Sequence, residues 1–267
     1  MNKVVLFSPN GYVGGYIKEK IQSEKNIQLY EITRGSKWEE CKENYDTMIY
    51  SAAVRYATAE KYIQDNVVSA ISVVNFCREH YIKRIIYLSS DEIYGELNTS
   101  VVNEKAIMIN PGLYGTTKYL AEKIIMESGM PYYILRMPGI VGRTWGKTFI
   151  YRLMDNIKNN ESIELYNWNG KFNNVLDIDD LTRFIMVLIN CVREENEIFL
   201  LGNTEQIELK KLVFYIKEMY HSVSQISNVD TKSKRYFTLD VTKAVEYGYL
   251  SKNIKAIINE LYQIQRI

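Results

Sequence analysis

A chain of 267 residues with a net charge of +1 is long enough to bury a full core, and its intermixed acids and bases give no polyanion-binding surface. No apolar run approaches the roughly 20 residues a membrane span needs, so neither nucleic acid nor membrane is an expected partner. Cys41, Cys77 and Cys191 are odd in number and lack metal-type spacing. They read as reduced thiols of a cytoplasmic protein, with no metal site. Met1-Asn2-Lys3 leads into a short β-like run rather than a signal-peptide core. His80 and His221 stand in no recognisable site context, which disfavours His-based catalysis.

In chain order, Val4-Val5-Leu6-Phe7 reads as a buried strand, residues 12–25 as a helix, 27–33 as a second strand and 46–51 as a third. Residues 58–80 form a long helix whose apolar stripe is Ile63, Val67, Ala70, Ile71, Val74 and Cys77. A strand over 84–89, a helix over 113–128 and a strand over 132–137 follow. Strands alternating with helices of this length predict parallel βαβ units, an α/β fold with a Rossmann-like doubly wound parallel sheet. After about residue 140 the order loosens: a helix near 148–159, a strand at 162–166, a turn at 167–170, a helix over 178–191, a strand at 197–201, and helices over 207–219 and 252–264. With no linker and no repeat, the expectation is one unit over 1–267. Residues 1–140 form its NAD(P)-binding core, and 141–267 form mostly a small C-terminal substrate lobe from which about 175–202 returns to the core.

Between the first strand and the first helix stands Ser8-Pro9-Asn10-Gly11-Tyr12-Val13-Gly14. A Gly-rich turn entering a helix offers free backbone N–H groups and the positive end of the helix dipole to a pyrophosphate, and a Cβ there would block the backbone's approach. At the end of the second strand, Glu31 can accept from a ribose 2′-hydroxyl, giving NAD, whereas Arg34 can pair a 2′-phosphate, giving NADP. Further on, Tyr114 and Lys118 are four apart at the start of a helix and share one face. A nearby cation lowers a phenol's pKa, and a hydroxyl such as Ser90 can hydrogen-bond a substrate oxygen that gains or loses a proton. Gly142-Arg143-Thr144-Trp145-Gly146-Lys147-Thr148 has one residue too few between its glycines for a Walker loop, and Gly146-Lys147-Thr148 reads instead as the start of a lobe helix.

The order of loop, strand, Ser-Ser and Tyr-x-x-x-Lys on a βαβ frame resembles the extended short-chain dehydrogenase/reductases, and more closely their NAD(P)-dependent nucleotide-sugar epimerases, dehydratases and ketoreductases. Ser8 replaces the first glycine of the family loop. Ser51-Ala52-Ala53 matches the small-residue strand end beneath the cofactor, and Asn66 an Asn of the long central helix. Ser89-Ser90-Asp91-Glu92-Ile93-Tyr94-Gly95 matches the catalytic-serine strand. Leu135-Arg136-Met137-Pro138, Asp177-Ile178-Asp179-Asp180-Leu181 and Phe199-Leu200-Leu201-Gly202-Asn203 match later segments.

The resemblance implies Tyr114 as acid/base, Lys118 as the cation serving both the phenol and the nicotinamide ribose, and Ser90 as the hydroxyl orienting the reacting oxygen. It implies cofactor contacts from Asn10, Gly11, Tyr12, Val13, Gly14, Arg34, Ser51, Ala52, Ala53 and Lys118. Ile32 falls where NAD-dependent members keep an acid, with Arg34 two positions later, which favours NADP(H); NAD(H) is the alternative. Gly139 and Asn173 stand where the family often has an Asn and an Arg on the nucleotide diphosphate, leaving Arg143, Lys147 or Lys171 to compensate. Asp91 and Glu92 match the acid–base pair of 4,6-dehydratases and also suit polar residues lining the mouth. The leading expectation is reduction of a 4-keto-6-deoxy sugar nucleotide by NADPH. A redox-neutral epimerase or dehydratase with tightly held NAD is the runner-up, and a dinucleotide-sensing regulatory protein the reading from another class. Long helices like 58–80 and 113–128 commonly pair in this family, so a homodimer is expected.

Overall fold

A computed structural model of the chain describes residues 1–33, 44–53, 55, 57–144, 146–193, 195–229 and 236–266. The near-continuous apolar run at Val4–Phe7 makes β1 (Asn2–Phe7) an interior strand, buried on both faces as parallel strands are. After α1 (Tyr12–Gln22), β2 (Ile27–Ile32) lies at the sheet edge, with Ile27 and Ile32 buried and the residues between them half-buried or exposed. β3 (Thr47–Tyr50) is wholly buried. The long helix is three pieces, α2 (Ala59–Tyr62), a π-helical turn (Ile63–Val68) and α3 (Ser69–Glu79). β4 (Arg84–Ser90) runs into a 3-10 turn (Asp91–Tyr94), then come β5 (Asn98–Val102), α4 (Leu113–Met126) and β6 (Tyr132–Met137).

The later elements are β7 (Gly139–Val141), α5 (Phe149–Lys158), β8 (Ile163–Tyr166), β9 (Lys171–Phe172), β10 (Val175–Asp177) and α6 (Ile178–Ile189). β11 (Glu197–Leu200), β12 (Ile207–Glu208), α7 (Leu209–Met219), β13 (Ile226–Val229), β14 (Tyr236–Leu239), α8 (Thr242–Glu246) and α9 (Ile254–Arg266) complete the described chain. Among the described residues no helix is long and apolar enough to cross a membrane.

The chain divides into two units, the first comprising residues 1–95, 110–137 and 181–199, the second 96–109, 138–180 and 200–267. The first is built on a six-stranded sheet in the order β11-β6-β4-β3-β1-β2, the Rossmann-like arrangement expected from the alternation of elements. β1 pairs in parallel with β2 on one side and β3 on the other, so strand order reverses between β1 and β3. In open α/β sheets ligands bind outside the carboxyl ends of the strands at such a switch point, here at Ser8 and Ser51. Phe7, Tyr50, Val74, Phe76, Tyr87 and Ile125 belong to the core cluster of this unit. The helical stripe splits: Ala70, Val74 and Cys77 are buried, while Ile63 and Ile71 are exposed, as are Leu113 and Leu120 on α4.

The second unit has its own core around Val141, Met154, Leu212 and Ile257, with β5, β7, β8 and β9 each in a two-stranded pair. Residues 96–109, expected with the core, lie in this unit because β5 pairs with β14 instead of joining the central sheet. β5, β13 and β14 escape sequence reading because they are short and half-polar; their order depends on partners more than 60 residues away. The buried Tyr151 hydroxyl accepts from the Gly142 N–H at 2.8 Å and lies 3.0 Å from the Gly142 carbonyl, and Thr148 is the residue preceding α5.

Candidate active site

β4 delivers Ser89 and Ser90, both buried, to the carboxyl edge of the sheet. The Ser90 hydroxyl accepts from the Glu92 N–H at 3.2 Å and so caps the 3-10 turn that follows. Helix α4 presses its first turn onto that 3-10 turn. A Cβ added at Gly115 would sit 2.3 Å from the Glu92 carbonyl oxygen, so only glycine permits the approach. The neighbouring Tyr114 phenol is thereby brought close enough to Ser90 for the serine hydroxyl to lower its pKa.

Burial pushes the Tyr114 phenol up to about 12, opposed by the Arg55 guanidinium and the Ser90 hydroxyl, while Glu92 and Asp91 push it further up. Its proton is therefore retained at neutral pH, the form that donates to an alkoxide. Arg55 lies 5.3 Å above the Tyr114 ring centroid and pairs with Glu92, and the Tyr62 ring flanks Tyr114 at 6.0 Å. Arg55 escapes sequence reading because it stands in a loop with no periodicity.

Lys118 is 1% exposed. Its ammonium donates to the Leu88 carbonyl at 2.6 Å and lies 4.2 Å from the Tyr87 ring centroid. Burial pulls its pKa down to about 7, with Glu122 opposing. The expected cation beside the phenol was Lys118; the lowering influence on Tyr114 comes instead from Arg55. Asn66, buried in the π-helical turn, ties the long helix to α4: its amide donates to the Thr117 hydroxyl at 3.0 Å, and its carbonyl accepts from the Tyr50 hydroxyl at 3.2 Å. A π-turn leaves a carbonyl without its α-helical partner, and here a side chain satisfies one.

At the switch point Gly11 caps α1 in an extended conformation with no side-chain cap and no acid in the first turn, so the helix's positive end is uncompensated. Asn10, Gly11 and Tyr12 are exposed, Val13 is half-buried and Gly14 is buried. A Cβ at Gly14 would lie 2.1 Å from the Ser8 carbonyl oxygen and 3.1 Å from the Ser51 hydroxyl. Ser51 in turn donates to the Phe7 carbonyl at 2.8 Å, fixing the two loops together. Ser8 has φ 71°, the left-handed conformation a glycine adopts at no steric cost, which explains the family's glycine at this position. Ala52 is buried beneath this edge and Ala53 is exposed.

Arg34 lies outside the described residues. The Glu31 carboxylate is bonded to Lys18 at 2.8 Å, and Ile32 is buried. Arg143 and Lys147 belong to the second unit, both exposed, with Arg143 3.5 Å from Asp179. Asn173 is fully engaged within that unit: its amide donates to the Asn203 and Leu239 carbonyls and its oxygen accepts from the Leu239 N–H. It is thus a clamp on β14, not a diphosphate contact. At Gly139, the space of a side chain is taken by Thr148, whose Cβ would be 3.1 Å from an added Cβ.

A doubly wound sheet with a glycine-bearing loop at its switch point is the fold that the resemblance to the extended short-chain dehydrogenase/reductases implies. The chain belongs to the NAD dependent epimerase/dehydratase family, a family of enzymes, whose model matches residues 17–202. That match begins beyond the loop in which Ser8 departs from the pattern.

Among curated relatives, the uncharacterized protein MJ1055 of Methanocaldococcus jannaschii is 25% identical over 268 residues, 93% of this chain and 79% of that protein. The dTDP-D-glucose 4,6-dehydratase of Dictyostelium discoideum is 24% identical over 169 residues, 55% of this chain but 39% of the relative's length. Among solved structures, UDP-glucuronic acid 4-epimerase from Bacillus cereus in complex with NAD superposes with a TM-score of 0.82 over 99% of both chains at 15% identity.

Proposed function

We propose that this protein transfers a hydride between a nicotinamide dinucleotide and a sugar carbon of a nucleotide sugar, with Tyr114 moving the accompanying proton. Reduction of a keto sugar nucleotide is the first reading, and the observation that carries it is the protonated phenol of Tyr114 close to Ser90. A carbonyl oxygen seated on Ser90 and Tyr114 would receive the phenolic proton as hydride reaches its carbon. The dinucleotide would lie along Asn10–Gly14 and Ser51–Ala53, its pyrophosphate at the α1 N-terminus and its nicotinamide ribose on Lys118. NADP(H) is favoured within this reading, since Ile32 stands buried where NAD-dependent members keep an acid and Arg34 follows two positions later.

A redox-neutral epimerase with NAD is the second reading, favoured by the likeness to a NAD-bound 4-epimerase over 99% of both chains. Elimination of water is disfavoured because the Glu92 carboxylate is paired with Arg55. The test is mass spectrometry of products from a panel of UDP- and dTDP-linked sugars and 4-keto sugars, incubated with NAD, NADH or NADPH. Conversion of a keto sugar with stoichiometric loss of NADPH supports reduction, and isomerisation without net cofactor loss supports the second reading. Asp91→Asn and Glu92→Gln should each keep activity within about tenfold if no elimination step depends on them. Tight cofactor binding without turnover across the panel would favour a dinucleotide sensor.

A homodimer is also proposed, through the face on which Ile63 and Ile71 of the long helix and Leu113 and Leu120 of α4 are exposed. Sedimentation at micromolar concentration should give twice the 31.2 kDa chain mass. A monomer at that concentration overturns the dimer.

A further inference from the structure

One turn beyond Lys118 on the same face of α4 lies Glu122, which is completely buried. Buried carboxylates are retained only when paired and hydrogen-bonded, and Glu122 is held by two side chains. Arg136 on β6 grips both its oxygens, with Nε 3.2 Å from each and Nη2 2.8 Å from Oε2. Ser89 on β4 donates to Oε1. Arg136 is fixed in turn by the Tyr94 hydroxyl, 3.0 Å from its Nη1. The carboxylate is therefore fixed in one position by side chains from two strands, β4 and β6.

Resting on the Tyr114/Lys118 reading above, we propose that Glu122 is a positioning residue acting through Lys118: its clamped carboxylate keeps the buried Lys118 ammonium charged and seated on the Leu88 carbonyl. Without it, Lys118 has one carbonyl and an aromatic face to offset the loss of water around its charge. Among the described residues, several other charged or titratable groups packed against this part of α4 are already committed, Tyr87 being the exception, since its buried hydroxyl has no hydrogen-bond partner. Asp65 pairs with Lys61 at 3.0 Å, Glu92 pairs with Arg55, and Tyr94 and Arg136 are bound into the Glu122 cluster. Tyr87 presents its ring beneath the ammonium, and Asp91 acts on Tyr114. Of these groups, Glu122 is the carboxylate whose charge opposes the burial that pulls the Lys118 pKa down to about 7.

The sign is definite. A group with a pKa near neutrality is charged below it, and removing a neighbouring anion lowers that pKa, so the charged form is lost at lower pH. The experiment is a pH titration of full-length protein carrying 13Cε-lysine, read by NMR, with Lys118→Met assigning the signal. Lysines without perturbation titrate near 10.4, far from the Lys118 midpoint. Glu122→Gln strands the Arg136 guanidinium in the core, so it is paired with the double variant E122Q/R136Q, which removes both members of the ion pair, and with Glu122→Asp, which keeps the charge.

The Lys118 midpoint should fall by about one to three units in E122Q and return towards the starting value in Glu122→Asp, with a smaller fall in E122Q/R136Q, where loss of the Arg136 cation offsets part of the loss of the anion. In whichever activity assay succeeds, the alkaline limb of the pH–rate profile should move to lower pH by the same amount. An unchanged midpoint in a folded E122Q, or no fall at all in E122Q/R136Q where only the double variant folds, overturns the proposal even if sugar-nucleotide turnover is found. A shifted midpoint upholds it even if no turnover is found, because the NMR readout needs no substrate.

Discussion

Tyr114→Phe is expected to cut turnover by roughly two to four orders of magnitude while leaving the fold and dinucleotide binding intact. The substitution removes one oxygen from a ring that keeps its neighbours: the Arg55 guanidinium above it and the Tyr62 ring beside it. What is lost is the transferable proton. Ser90→Ala should act in the same direction with a smaller loss, since it removes a hydrogen bond to the reacting oxygen and the cap on the Glu92 N–H but not the proton itself. Steady-state rates with matched circular dichroism check both variants. Near-full activity of Tyr114→Phe on the true substrate would show the proposed chemistry to be wrong, however well the fold fits.

Gly14→Ala carries the second large effect. The added Cβ would lie 2.1 Å from the Ser8 carbonyl oxygen, a backbone atom that cannot swing aside as a flexible side chain can. Ser8 is already in the left-handed region, and Ser51 ties its carbonyl to the β3 loop at 3.3 Å. The loop must therefore move as a whole, carrying with it the N–H groups meant for the pyrophosphate. Losing one hydrogen bond to a charged group costs roughly 1.5–3 kcal/mol, on the order of 10- to 100-fold. Dinucleotide affinity, measured by calorimetry, should fall by about that factor, and the variant should remain folded. Unchanged affinity in a folded Gly14→Ala protein would remove the loop from the cofactor site.

The sheet and the reacting edge were legible in the sequence for a common reason. Strand-length apolar runs such as Val4–Phe7 and the Tyr114/Lys118 spacing are local patterns, and local patterns report directly on parallel βαβ units and shared helix faces. The Ser8 departure was legible as a departure, but its positive φ required the fold.

Residues whose meaning depends on distant partners were not readable. Arg55 becomes part of the site through Glu92 and Tyr114, each more than 30 positions away. Asn173, read as a missing arginine, is a clamp on Leu239, 66 positions along the chain. Glu122 shares the Tyr114/Lys118 spacing and was within reach of the same helical argument, but its clamp by Arg136 on a separate strand shows only in three dimensions.

The most direct measurement of the central claim is the near-ultraviolet absorbance of reduced nicotinamide, followed after rapid mixing of the cofactor-loaded protein with each member of the sugar-nucleotide panel. The account predicts a change with the true substrate, a net loss of reduced cofactor for reduction or a transient rise for redox-neutral turnover, slowed by roughly two to four orders of magnitude in Tyr114→Phe. A substrate turned over with no change in nicotinamide absorbance, or with the same change at the same rate in Tyr114→Phe, would contradict it.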